Sequence, residues 1–191
     1  MYTENDDRLP PISASDWTPQ QRAMAQPIID GPRGALISPF VPLLRSPELM
    51  DHAQHMGEYL RYRSSIGQRL SELAICITAR QWSQQVEWAI HAPIAEREGI
   101  SPEALNDIAH GRRPLALKSD ESLVYEFCAE LHQNKGICDA TWDAAKDAWG
   151  EQGVIDLIGV IGYYSFLSMV MNSARTAVPS SLATPLPSLV G

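Results

Sequence analysis

Three features of the chain predict an all-α fold. Alternating apolar and polar runs bounded by turns, the mark of strands, are almost missing. Helix punctuation recurs, with Ser, Thr or Asp opening segment after segment and glycine closing them. Between those marks, apolar residues return at three- and four-residue spacing.

Taken in order, "TPQQ" at 18–21 has the form of a capping box, with Thr18 as cap, Pro19 at the first helical position and Gln21 reaching back. "SPELMDHAQHMGEYLRYR" opens the same way on Ser46 and Pro47, and Gly67 marks a break. In "RLSELAICITAR" (69–80), Leu70, Leu73 and Ile77 form one stripe with Ala74 beside it. Ser83 is expected to cap "QQVEWAIHAPIAERE", which Gly99 ends. Ser101-Pro102 opens a short helix that stops at Gly111. Ser119 or Asp120 is expected to cap "ESLVYEFCAELHQNK", and Asp139 to cap "ATWDAAKDAW", with Gly136 and Gly150 after them. A last long helix runs from about 152 to 174. The count is about eight helices.

Residues 1–17 read as an extended segment, 18–178 as a single helical domain, and 179–191, with three prolines, as an irregular tail. Residues 31–45, with glycines at 31 and 34 and several prolines, read as an irregular connection. Helices at 47–63, 69–80 and 84–98 are echoed by those at 120–134, 140–149 and 152–174. The echo fits two related helical halves, and equally the loose match of any two three-helix runs.

Composition is that of a globular protein, 45% hydrophobic and 20% charged. A net charge of −8, with no Lys/Arg run, argues against nucleic acid or an anionic membrane as partner. The apolar stretch Gly153–Val170 carries Asp156 and is interrupted by Gly159 and Gly162, which favours a buried helix over a membrane span. The polar first residues lack the apolar segment of a signal peptide. Three widely spaced cysteines, Cys76, Cys128 and Cys138, fit a reduced, cytoplasmic protein. No phosphate loop, GxSxG or HExxH is present.

The chemistry concentrates in "EWAIH" at 87–91. At 100° per residue, Gln84, Glu87 and His91 fall within about 60° of one another, with Trp88 at the border. If the preceding helix packs antiparallel, Glu72 faces the same side, and Arg80 ends its helix beside it. An imidazole with two carboxylates is sufficient for general acid–base work. The same Glu87–His91 pair also serves as a structural i,i+4 contact, or as two ligands of a metal with Glu72 as third. Arg80 suits a substrate carboxylate or its own helix dipole. Tyr163, Tyr164 and Asn172 either complete a pocket or bond within the core.

"RLSELAICITARQWSQQVEWAIHAPIAEREGIS" (69–101) resembles the signature region of the carboxymuconolactone decarboxylase and alkylhydroperoxidase D-like family, and "GEQGVIDLIGVIGYYSFLSMVMNSARTAVP" (150–179) resembles the C-terminal helix of its longer members. The resemblance covers about residues 35–179. It implies an all-helical bundle that assembles as a homo-oligomer, often a trimer or hexamer, a dimer remaining open. The peroxidase branch carries a glutamate, then Cys-x2-Cys, then a histidine four residues on. Glu72 and His91 match the first and last, but Gln84 and Glu87 stand at the cysteine positions. A dithiol needs two thiols, so this departure disfavours dithiol peroxidase activity. The decarboxylase branch works by proton transfer. The resemblance therefore implies a cofactor-free, metal-free enzyme of the lyase kind acting on a small organic acid or lactone. Glu72, Glu87 and His91 are its expected catalytic residues, and Gln84, Arg80 and Trp88 its expected substrate contacts. In that expectation Glu87 orients His91 and Glu72 is the second acid or base. A non-catalytic oligomeric ligand-binding protein and a peroxidase using unpaired cysteines are the rivals.

Overall fold

The computed structural model describes residues 6–31, 33–179 and 186–188. Among them every regular element is helical: α1 (Pro19–Asp30), α2 (Phe40–Leu43), α3 (Pro47–Tyr62), α4 (Gln68–Gln81), α5 (Gln85–Arg97), α6 (Pro102–Ala109), α7 (Ser119–Asn134) and α8 (Asp139–Ala174). The all-α expectation holds. A short 3-10 turn, Ala14–Asp16, interrupts the N-terminal segment, and α2 forms inside the connection read as irregular. Most of the tail lies outside the described residues.

The caps decide the boundaries. Thr18 Oγ1 accepts from Gln21 N (3.2 Å) and Gln21 Oε1 accepts from Thr18 N (2.9 Å), completing the expected box. Ser101 Oγ accepts from Ala104 N (3.1 Å) at the start of α6. Two expected caps shift by a residue. Ser119 and Asp139 are the first helical residues of α7 and α8. Glutamates do the work of those caps: Glu121 accepts from Lys118 N and Glu130 from Cys138 N, at 2.9 and 2.8 Å. Gly150, at φ 67° and ψ 175°, breaks α8 into two arms, because that backbone is open to glycine and strained for other residues. The break falls where the sequence reading separated two helices.

Helix α4 is the axis of the fold and touches α3, α5, α6, α7 and α8. The stripe read from sequence understates it, since every residue from 70 to 80 is buried, including Ser71, Glu72, Thr78 and Arg80. One apolar cluster joins α4 to Ile28 of α1, Phe127 of α7 and Leu157 and Val160 of α8. Each such fully buried large side chain contributes roughly 1.5–3 kcal/mol. Arg69 at the start of α4 grips Asp120 and Glu121 at the start of α7, fixing the two helix ends together.

By length and composition α8 could cross a membrane, yet 56% of its apolar window is buried inside the bundle. Asp156 explains why it belongs there. Its carboxylate accepts from Tyr59 Oη (3.0 Å), Ser65 N (2.8 Å) and Ser65 Oγ (2.8 Å), tying α8 to the end of α3. The arrangement is that of a helix packed into the core of the bundle.

Candidate active site

The α4–α5 turn sets the site. Gln84 N–H donates to Ala79 O (2.8 Å) and Ser83 N–H to Arg80 O (3.0 Å), with Ser83 at φ 49°. These are the two bonds of a left-handed helix stop. Ser83 is therefore the end of α4, not the cap of α5. Gln84 takes that role, its Oε1 accepting from Val86 N (2.5 Å) and Glu87 N (3.2 Å). Asn172, from the last turn of α8, clamps the same turn. It accepts from Gln84 Nε2 (3.0 Å) and donates to Trp82 O (2.9 Å).

The tight turn lays α5 beside α4 and brings three charged side chains together. His91 Nδ1–H donates to Glu72 Oε2 at 2.6 Å, and Nε2 on the far side of the ring lies 3.4 Å from Glu87 Oε2. All three are buried, at 3%, 1% and 2% exposure for His91, Glu72 and Glu87. The edge of Tyr164 meets the imidazole at 5.0 Å between ring centres. Burial works against the charged imidazole, but the hydrogen bonds and charges of Glu72 and Glu87 outweigh it and raise the His91 pKa to about 9. At neutral pH the ring is an imidazolium. Because each ring nitrogen faces its own carboxylate, the three groups do not converge on one point as metal ligands must. Among the described residues no cluster of three or more His, Cys, Asp or Glu side chains suited to a metal ion is found.

A small cavity of about 50 Å³ opens over this cluster. Its floor is Glu87, His91, Tyr163, Tyr164 and Leu167. Its walls come from the segment leading into α2, from Ile90, and from Arg61 near the end of α3. Tyr163 reaches the floor because Gly57 gives it room: a Cβ there would stand 2.3 Å from the Tyr163 hydroxyl. Glu87 Oε1 is buried and has no hydrogen-bond partner among the described residues. A buried carboxylate oxygen left without a donor is costly, and here it belongs to a residue that lines the cavity.

The structure sorts the sequence-derived candidates. Glu87 and His91 line the cavity, whereas Glu72 stands behind the imidazole and does not. Of the expected substrate contacts, none is at the cavity. Gln84 is spent on capping α5 and on Asn172. Arg80 donates to Ala109 O (3.0 Å), Pro187 O (2.6 Å) and Ser83 Oγ (2.6 Å), holding the helix end and the described part of the tail. Trp88 lies about 100° round the helix from Glu87, packed in the core. Reasoning from sequence missed Arg33, Arg61 and Phe40. No local spacing relates them to 87–91, and no sequence signal marked them.

These assignments separate structural from chemical roles. Gln84→Ala is expected to cost roughly 1 kcal/mol or more through the lost cap, seen as a lower Tm, while ligand binding at the cavity persists. Loss of binding at unchanged Tm would return Gln84 to the substrate contacts.

No family model and no curated protein sequence matches the chain. Solved structures do. An uncharacterized peroxidase-related protein from Silicibacter sp. TM1040 superposes with a TM-score of 0.76 at 11% identity, over 95% of this chain and 96% of that one. A protein of unknown function from Agrobacterium tumefaciens, likened to the antioxidant defence protein AhpD, gives 0.65 at 13%, over 73% and 96%. The debrominase Bmp8, as a Cys-to-Ala variant in complex with 2,3,4-tribromopyrrole, gives 0.60 at 14%, over 90% and 91%. The fold is therefore the AhpD-like helical bundle, as the resemblance implied. Within that fold this chain carries a glutamine and a glutamate, Gln84 and Glu87, at the positions the resemblance aligns with the dithiol.

Proposed function

We propose that the chain is a carboxymuconolactone decarboxylase-like enzyme that moves protons on a small organic acid or lactone without a cofactor. The observation that carries this reading is the His91 ring held between Glu72 and Glu87 at a cavity floor, with Glu87 Oε1 left without a donor. The roles of the two glutamates exchange relative to the sequence expectation. Glu72 fixes the ring through Nδ1, and Glu87 meets the substrate. Carboxylate and imidazolium together supply a base and an acid at neutral pH. In a decarboxylation, the bond to the departing carboxylate breaks and CO2 leaves. The electron pair remains on carbon, delocalised into the lactone carbonyl, and the Nε2 proton of His91 is delivered to it. His91 then regains its proton from solvent.

Thiol chemistry has little support. Cys76 is one turn from Glu72 but fully buried, and burial first, then the Glu72 charge, pushes its thiol pKa well up. Cys128 is equally buried, and Cys138 is exposed away from the cavity. The name of the peroxidase-related neighbour keeps hydroperoxide in the assay. The test is a screen of lactones and carboxylated small molecules with a hydroperoxide assay alongside. Turnover of a lactone acid supports the reading. Hydroperoxide consumption that vanishes in a cysteine-free variant would replace it.

The chain is further proposed to act as a cytoplasmic homo-oligomer, with neither nucleic acid nor membrane as partner. On α8, Ile155 (60% exposed) and Met169 (45%) stand on a face where Phe166 and Val170 are only half-buried. A second copy covering that stripe would bury it. Sedimentation at micromolar concentration is expected to give a trimer, hexamer or dimer, and Met169→Glu to shift it toward monomer. A monomeric wild-type chain would refute the assembly.

A further inference from the structure

The cavity above Glu87 and His91 has a second chemical end. Arg61 and Arg33 both line it. Neither guanidinium has an ion-pair or hydrogen-bond partner among the described residues. Arg33 stacks over Phe40 at 4.9 Å and Arg61 over Tyr62 at 5.2 Å, so aromatic faces hold both in place without neutralising them. Arg69 is paired with Asp120 and Glu121, Arg112 with Asp107 and Arg113 with Glu126, whereas Arg63, which does not line the cavity, likewise lies over an aromatic face, that of Tyr59. Arg61 Nε is moreover a buried donor with no acceptor.

Formally, two guanidiniums and the imidazolium outweigh the carboxylates of Glu72 and Glu87. A chain of net charge −8 thus encloses a cavity of net positive charge. The phenols of Tyr163 and Tyr164 find no hydrogen-bond partner among the described residues. Burial raises the pKa of both, Tyr163 strongly and Tyr164 well above its ordinary value, so they stand as neutral donors.

The geometry points to a specific substrate class: a small planar ring acid whose carboxylate is anchored by Arg61, assisted by Arg33, while a hydroxyl or acidic C–H of the ring meets the Glu87 carboxylate. This deepens, and rests on, the acid–base reading above. Such a molecule brings an anion to the Arg61 guanidinium and a proton to the Glu87 carboxylate, both of which belong to the cavity lining. Arginine suits the carboxylate because its planar fork binds both oxygens. The anchored carboxylate is also the one the product keeps. A carboxylate departing as CO2 loses its charge, and guanidiniums that grip it would stabilise the ground state over the transition state. A decarboxylation substrate therefore carries a second carboxylate, and a monoacid undergoes proton transfer alone.

The test uses furan-2-carboxylate and its neutral amide as probes, titrated calorimetrically into the full chain. The acid is expected to bind at least ten-fold more tightly than the amide. Arg61→Gln should weaken the acid by at least ten-fold and leave the amide unchanged. Arg61→Lys, which keeps the charge but not the fork, should fall between. Thermal unfolding of each variant identifies any that fails to fold. Absence of binding by the acid, equal binding of acid and amide, or full affinity in Arg61→Gln would overturn the anchor. The two readings fail separately. His91→Ala removes turnover in the substrate screen, if the acid–base reading holds, whether or not furan-2-carboxylate binds. Arg61-dependent binding with no turnover of any lactone acid would retain the anchor and remove the chemistry.

Discussion

His91→Ala is expected to abolish turnover while the helical circular dichroism stays that of the wild type. Removing the imidazole takes away the group that both donates the proton and balances two buried carboxylates. General acid–base catalysis accounts for about 10²–10⁴-fold in rate, and that is the loss expected. Glu87→Gln should lose a comparable factor, because the amide keeps the volume and cannot take a proton. Glu72→Ala should also be inactive, for a different reason: the ring loses the 2.6 Å bond that orients it. Full activity in both His91→Ala and Glu87→Gln would remove the site. Loss of the folded state in His91→Ala, with Glu87→Gln folded and unchanged in ligand binding, would instead support a non-catalytic protein whose Glu–His pairs hold the core.

The second large effect is alkaline destabilisation. His91 in the folded chain titrates at about 9, above its ordinary 6.5. A group whose pKa folding raises stabilises fully below the unfolded value and loses that contribution as pH climbs through the folded one. The groups around it are Glu72 on α4, Glu87 on α5 and Tyr164 on α8, and Arg61 on α3 acts by charge on the two glutamates. Stability is thus expected to fall between about pH 6.5 and 9, by about 3 kcal/mol, or on the order of 10 °C in Tm. Thermal unfolding at pH 6 and pH 10 measures it against His91→Gln, in which the lysines, tyrosines and other alkaline groups remain. Parallel pH profiles for the two proteins would show that the raised His91 pKa does not exist.

The sequence by itself determined the helices and half of the site. The capping box at Thr18, the stop at Gly150 and the shared face of Glu87 and His91 are local. They follow from residues within one turn of each other, where backbone geometry leaves few alternatives. The approach of Glu72 to His91 followed from the sequence only on the condition of an antiparallel hairpin, which the short 81–83 link allows and the tertiary structure supplies. Tertiary structure decided the rest. Which glutamate sits behind the imidazole and which lines the cavity depends on how α5 and α8 both pack against α4. Gln84 and Arg80 looked available because the sequence does not contain their partners, Asn172 and Pro187, at any readable spacing. The cavity joins residues 33, 61, 87 and 163 from four separate segments. No periodicity links them; only packing around α4, which buries every residue from 70 to 80, brings them to one point.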